Sequence, residues 1–223
     1  MLKTPVLIIN LKAYEEALGL RALDFAIAAK NVSENHDITI LVAPPAPLLE
    51  KISNVSATIS QHIDPYEPGA YTGSVLAKEV KELGCIGSLI NHSEKRIPHE
   101  DIKRCVNLCK KYELVSIVCA KDNEEVMQVA KFKPDFIAIE PPELIGGDVS
   151  VSTARPDIIK KSVDDVREIY SDIGILCGAG VKNKMDVKKA IYLGAKGVLV
   201  ASGVVKSKNV EEAIEELISG MMQ

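Results

Sequence analysis

The sequence predicts one α/β domain spanning residues 1–223, with eight parallel strands alternating with helices and closed as a (β/α)8 barrel. Three observations predict it. Eight short β-type runs recur along the chain, most of them continuously apolar, as parallel strands covered on both faces should be. Longer amphipathic stretches separate them, and no Ser/Gly-rich linker or charge run divides the chain. The rival is an open doubly wound sheet, whose mark would be a Gly-rich fingerprint after the first strand. Here that strand runs into "NLKAYEE" (10–16), which has no glycine.

The strands are expected at "PVLIIN" (5–10), "ITILVA" (38–43), "ATISQHI" (57–63) and "IGSLIN" (86–91). They continue at "LVSIVCA" (114–120), "DFIAIE" (135–140), "GILCG" (174–178) and "GVLVA" (197–201). A helical pattern covers 14–32, with Leu18, Leu23, Ala26, Ile27 and Ala29 as its apolar positions. Residues 98–111 open with Pro98, Glu100 and Asp101, which suit a helix start. Further helices are expected at 123–131, 155–170, 183–192 and 207–219. "LGCIGSLI" (83–90) and "LGAKGVLV" (193–200) each end a helix on glycine and enter a strand at once.

Composition narrows the function. With 47% apolar and 26% charged residues the chain is not of a disordered type. A net charge of −4 offers no basic field for nucleic acid or an anionic membrane. Small anions can still bind backbone N–H groups at helix starts. No apolar run approaches the roughly 18–20 residues of a membrane helix. The opening "MLKTPVLIIN" lacks a signal peptide's apolar region and cleavage site, so it reads as a first strand of a cytoplasmic protein. Cys85, Cys105, Cys109, Cys119 and Cys177 are odd in number and lack CxxC spacing. That argues against a disulfide scaffold and against zinc, and leaves them as small buried hydrophobes.

In such barrels the chemistry sits where strands end. Strand one ends in Asn10 and Lys12, which strand alternation would point to one side, giving an amide and a cation. Strand four ends in Asn91-His92-Ser93-Glu94. A turn or short helix from Ser93 would favour a neutral His92 ring able to donate to a carbonyl oxygen. Strand six ends in Glu140, costly on an apolar strand unless partnered or working, and made a stronger base by a closed pocket. Strands seven and eight lead into the small residues Gly178, Ala179, Gly180, Ala201, Ser202 and Gly203, where backbone can approach a phosphate. A base, a donor, a cation and a phosphate seat suit proton abstraction beside a carbonyl in a small phosphorylated sugar. No metal or cofactor motif accompanies them, so neither is expected.

Several motifs, in order and on matching strands, resemble the triosephosphate isomerases. They are "NLK" (10–12), "GAYTGS" (69–74), "NHSEKR" (91–96), "IEPPELIG" (139–146), "CGAGV" (177–181) and "GVLVASGVVK" (197–206). The short length and the "EPPELIG" form resemble the compact archaeal branch. The resemblance covers nearly the whole chain and implies a TIM barrel that interconverts dihydroxyacetone phosphate and D-glyceraldehyde 3-phosphate. It implies Glu140 as base, His92 as neutral electrophile, Lys12 as fixed positive charge, Asn10 as an orienting group and Glu94 as a carboxylate supporting Lys12. Phosphate contacts are implied near Ile145, Gly146, Gly180, Ala201 and Ser202. Thr72 becomes the tip of a loop reaching into a second subunit, so a homo-oligomer, dimer or tetramer, is implied.

The chain departs from the best-known members in two places. Gly180 stands where they carry serine, and Gly147-Asp148 where Thr-Gly is usual. In "IEPPELIGGD" (139–148) the two prolines stiffen one end of a lid and Gly147 frees the other. Leu144 and Ile145 are expected to help exclude water when the lid closes, and Asp148 is expected to point away from the dianion. Two other readings stay open: a lyase or synthase acting on another phosphorylated substrate in a similar barrel, and a non-catalytic binding protein on this scaffold.

Overall fold

A computed structural model describes residues 2–144 and 150–222. Its eight strands are β1 (Val6–Asn10), β2 (Thr39–Ala43), β3 (Ile59–Ser60), β4 (Gly87–Ile90), β5 (Val115–Ala120), β6 (Phe136–Ile139), β7 (Gly174–Cys177) and β8 (Gly197–Val200). All pair in parallel, in the order β2-β1-β8-β7-β6-β5-β4-β3. A parallel bridge between Val42 and Thr58, with Val42 N–H donating to the Ala57 carbonyl at 3.0 Å, joins the two ends of that order. The sheet is therefore a barrel, as the alternation of elements predicts.

Ten helices are described: α1 (Ala22–His36), α2 (Leu49–Ser53), α3 (Ala77–Glu82), α4 (His99–Lys111), α5 (Asn123–Ala130), α6 (Val151–Ala154), α7 (Pro156–Ile169), α8 (Lys184–Tyr192), α9 (Ser202–Val205) and α10 (Val210–Ser219). Their starts show ordinary chemistry. Asp122, Asn183 and Asn209 cap α5, α8 and α10 by accepting backbone N–H groups with their side chains. Pro156 opens α7 at a position where no N–H is needed.

Strand alternation divides the core into two layers. Val6, Ile8, Leu41, Ile59, Leu89, Phe136, Leu176 and Leu199 fill the barrel. Their neighbours Leu7, Ile9, Ile40, Val42, Ile90, Ile137, Ile175 and Val198 point outward and pack under the helices. Both faces of every strand are thus buried, which explains the continuous apolar runs. The same parity decides the mouth. Continuing the inward positions of β1, β6, β7 and β8 by two residues reaches Asn10, Glu140, Gly178 and Ala201.

Two expected elements come out differently. The 14–32 pattern begins as two short 3-10 turns, because Leu18 is extended and Gly19 is left-handed at φ 59°. Its α-helix then continues to His36, where Asp37 adopts a left-handed cap. The third strand is far shorter than 57–63, because Gln61 leaves the ladder. Its side-chain amide instead donates to the carbonyls of Lys12 and Ala43, each at 2.9 Å.

All five cysteines are free and buried. Burial pushes the Cys85 thiol up to about 11 and those of Cys105 and Cys177 to about 12. It raises Cys109 and Cys119 as well. These are inert packing groups, as their spacing predicts. Among the described residues no cluster suits a metal ion, and no helix is long and apolar enough to cross a membrane. Ile145, Gly146, Gly147 and Asp148, which carry the lid and part of the phosphate expectation, lie outside the described residues.

Candidate active site

The barrel's C-terminal mouth opens on Asn10, Lys12, Tyr14, His92, Glu140, the segment 178–182, and Leu199 through Ser202. Each comes from a strand end or the turn that follows it.

Glu140 follows β6, with its N–H held to the Ala120 carbonyl at 2.8 Å. The residue is only 2% exposed, so its carboxylate needs partners. One oxygen lies 3.2 Å from His92 Nε2, and the other accepts the Ser93 N–H at 3.1 Å. Below it lies the Cys119 thiol, whose rise comes first from burial and then from this carboxylate. Beside it, Gly178 is required by space. A Cβ there would stand 2.8 Å from Glu140 Cγ and 3.0 Å from the Ile139 carbonyl oxygen.

His92 is held by the turn anticipated at Ser93. Glu94 N–H donates to Nδ1 at 3.1 Å, and Lys95 N–H to the His92 carbonyl at 2.7 Å. A ring whose Nδ1 accepts must carry its proton on Nε2, and that N–H points at Glu140. The turn therefore selects the neutral, donating tautomer by a direct hydrogen bond.

Lys12 reaches the mouth by a different route from the one strand alternation suggests. The strand stops at Asn10, and Lys12 adopts a left-handed conformation at φ 47°. Its N–H donates to Asn10 Oδ1 at 2.9 Å, closing a small loop. Lys12 Nζ then pairs with Glu94 Oε1 at 2.7 Å, the lysine side chain 15% exposed and the glutamate 56%. Asn10, Lys12, His92, Glu94 and Glu140 thus form one continuous polar cluster.

The opposite wall is backbone. Gly180 is left-handed at φ 69°, a conformation that a serine there would strain. The chain then passes close to β8's exit, since a Cβ on Gly203 would meet the Val181 carbonyl at 3.3 Å. Ala201 precedes α9, which begins at Ser202. These small residues leave main-chain N–H groups near the mouth, the kind of wall that accepts an anion.

Two supporting networks escape a reading based on strand ends. Asn91 is left-handed at φ 62°, and its amide bridges the Cys119 carbonyl at 3.0 Å and Glu125 at 3.2 Å. Arg96 pairs with the same Glu125 at 3.2 Å, and Lys121 N–H donates to it at 2.7 Å. Glu125 so clamps the root of the His92 turn to the start of α5. The second network centres on Asp186 of α8, behind the Gly178–Lys182 turn. In sequence, both acids look like solvated helix positions, and only the fold brings their partners to them.

A family model described as triosephosphate isomerase matches residues 5–217. The chain is 50% identical over 215 residues to a triosephosphate isomerase of Methanocaldococcus jannaschii, covering 96% of this chain and 98% of the relative. It is 44% identical to the one of Methanothermus fervidus, over 97% of this chain and 99% of that one. For Methanobrevibacter smithii the values are 45%, 98% and 99%. These relatives share the compact length that the resemblance implies. Matched from its first strand into its last helix, the chain belongs to the triosephosphate isomerase family.

Proposed function

We propose that this enzyme interconverts dihydroxyacetone phosphate and D-glyceraldehyde 3-phosphate through an enediolate, with Glu140 as the base. The observation that carries the assignment is the buried Glu140 carboxylate, 3.2 Å from the donating Nε2 of His92, in a mouth that also holds Lys12. Glu140 takes a proton from the carbon beside the substrate carbonyl, and the electron pair moves onto the carbonyl oxygen. The same carboxylate then returns the proton to the neighbouring carbon, while the hydroxyl proton passes from one substrate oxygen to the other, so that carbonyl and hydroxyl exchange places. His92 Nε2–H and the Lys12 ammonium stabilise the oxygens as charge develops on them. Asn10 orients Lys12 by accepting its backbone N–H, and Glu94 fixes the ammonium.

Without substrate, the Nε2 proton is engaged by Glu140. Substrate oxygen must replace the carboxylate on Nε2, which frees Glu140 to act on carbon. The phosphate is assigned to the N–H groups of Gly180, Ala201 and Ser202, supported by the left-handed Gly180 turn and the start of α9 beside it. Ile145 and Gly146 carry the same expectation from outside the described residues. A coupled assay of both directions tests the function. A purified chain that converts neither triose phosphate, and instead cleaves or condenses another phosphorylated sugar, would overturn it.

Gly178→Ala offers a check on the geometry. The added methyl collides with Glu140 Cγ and must displace the carboxylate. A displacement of about 1 Å is expected to lower kcat/KM about 100-fold in a protein that remains folded. Full activity would mean that Glu140 need not sit where it does.

A homo-oligomer completes the proposal, with Thr72 at the contact. Thr72 lies in an exposed turn beside stacked Tyr66 and Tyr71, whose ring centroids are 4.2 Å apart. On the far side of Lys12 a second cavity is lined by Ala13, Ala46, Gln61, His62, Glu94 and Lys95, a receptor for such a tip from another copy. Thr72→Arg is expected to shift sedimentation towards the 24.2 kDa monomer. A wild type that already sediments as a monomer would refute this part. We place the enzyme in the cytoplasm, whose reducing conditions suit five unpaired thiols. Its recovery from an oxidising compartment in cell fractionation would contradict that.

A further inference from the structure

We propose that Asp186 is a positioning residue for the substrate's phosphate, acting through the Gly178–Lys182 turn; this rests on the phosphate assignment above. Asp186 is the third residue of α8 and stands behind the residues that line the mouth. Its carboxylate nevertheless joins two segments. One oxygen accepts the Lys182 N–H at 3.1 Å. The other accepts the hydroxyl of Ser150 at 2.6 Å and, more weakly, that of Thr153 at 3.4 Å.

The attachment is made from buried material. Ser150 and Ser152 are 1% and 0% exposed, and their hydroxyls are 2.9 Å apart. Ser152 also donates to the Asp186 carbonyl at 3.0 Å, while Val151 N–H donates to the Ala179 carbonyl at 3.1 Å. The turn after β7 and the start of α8 are thus tied to the chain around α6 at four points, three of them on Asp186. Gly180, left-handed and without a side chain, has nothing of its own to fix its N–H direction. Holding Lys182 N–H pins the turn just past it. An acid at this helix position also has a bland role, favouring the positive end of α8. That role would move stability and leave phosphate affinity alone, so the two are separable.

The test uses inorganic phosphate as probe, titrated against wild type and Asp186→Ala by calorimetry, alongside kcat and KM. Losing a charge-assisted hydrogen bond that orders the turn is expected to weaken phosphate binding and raise KM together, each about tenfold, with kcat far less affected. Asp186→Asn, nearly isosteric, guards against misfolding of the alanine variant. Its carbonyl can still accept from Ser150, while its NH2 faces the Lys182 N–H, so an intermediate loss is expected. Ser150→Ala should reproduce part of the loss and add little to that of Asp186→Ala. Folded variants with wild-type phosphate affinity and KM, or a loss confined to kcat, would overturn the role of Asp186. Failure of wild type to bind phosphate would instead overturn the seat itself, and the inference with it.

Discussion

Glu140→Asp is expected to lower kcat about 100-fold while leaving KM near its starting value. The substitution keeps the charge and shortens the side chain by one methylene, withdrawing the carboxylate by about 1 Å, a misplacement that can cost ~100-fold. The backbone cannot follow to compensate. Glu140 N–H is held by the Ala120 carbonyl of β5 at 2.8 Å, and on the opposite edge of β6 the chain leaving β7 is held through Gly178 N–H and the Ile139 carbonyl at 2.9 Å. The Cys119 thiol beneath and Gly178 beside it leave little room for other rotamers. The shortened carboxylate should also lose one of its two holds, on His92 Nε2 or on Ser93 N–H. A Glu140→Asp variant as fast as wild type would remove Glu140 from the role of base without touching the family assignment.

His92→Gln should likewise cost mainly kcat, by about 100-fold, the scale on which losing one donor to a developing oxyanion is felt. The imidazole is fixed on one side by Glu94 N–H to Nδ1, which aims Nε2–H into the mouth. A glutamine amide can donate, but no bond holds it in that direction. The missing interaction is strongest when the oxygen carries charge, so it acts on the transition state more than on bound substrate. A change confined to KM would show that His92 merely binds substrate.

The barrel was legible because its physics is repetitive. Strands buried on both faces leave apolar runs such as "VLIIN" and "IVCA", and the runs of helix between them are amphipathic. The four short helices α2, α3, α6 and α9, of four to six residues, are too brief to display a period. Glu140 stood out as one carboxylate closing an apolar strand, and the barrel's parity does place it inward. Lys12 was anticipated in the right place by the wrong geometry. A left-handed turn closed by Asn10 Oδ1 delivers it, and no alternation rule foresees such a turn. Glu125 and Asp186 were not legible as site residues. An acid in the first turn of a helix is ordinary in sequence, and their importance lies in partners more than 30 residues away, at Asn91 and Ser150.

The most direct test of Glu140 as the base is the fate of the carbon-bound proton. The enzyme would be incubated with dihydroxyacetone phosphate in D2O, and the products read by NMR. Abstraction by a carboxylate that can exchange with solvent predicts deuterium at C2 of the glyceraldehyde 3-phosphate formed by wild type. With Glu140→Gln, conversion and label incorporation should both fall away. Undiminished conversion or undiminished deuterium incorporation by the glutamine variant would contradict proton transfer through Glu140, whereas unlabelled product from wild type would show only that the buried carboxylate returns its proton before it exchanges.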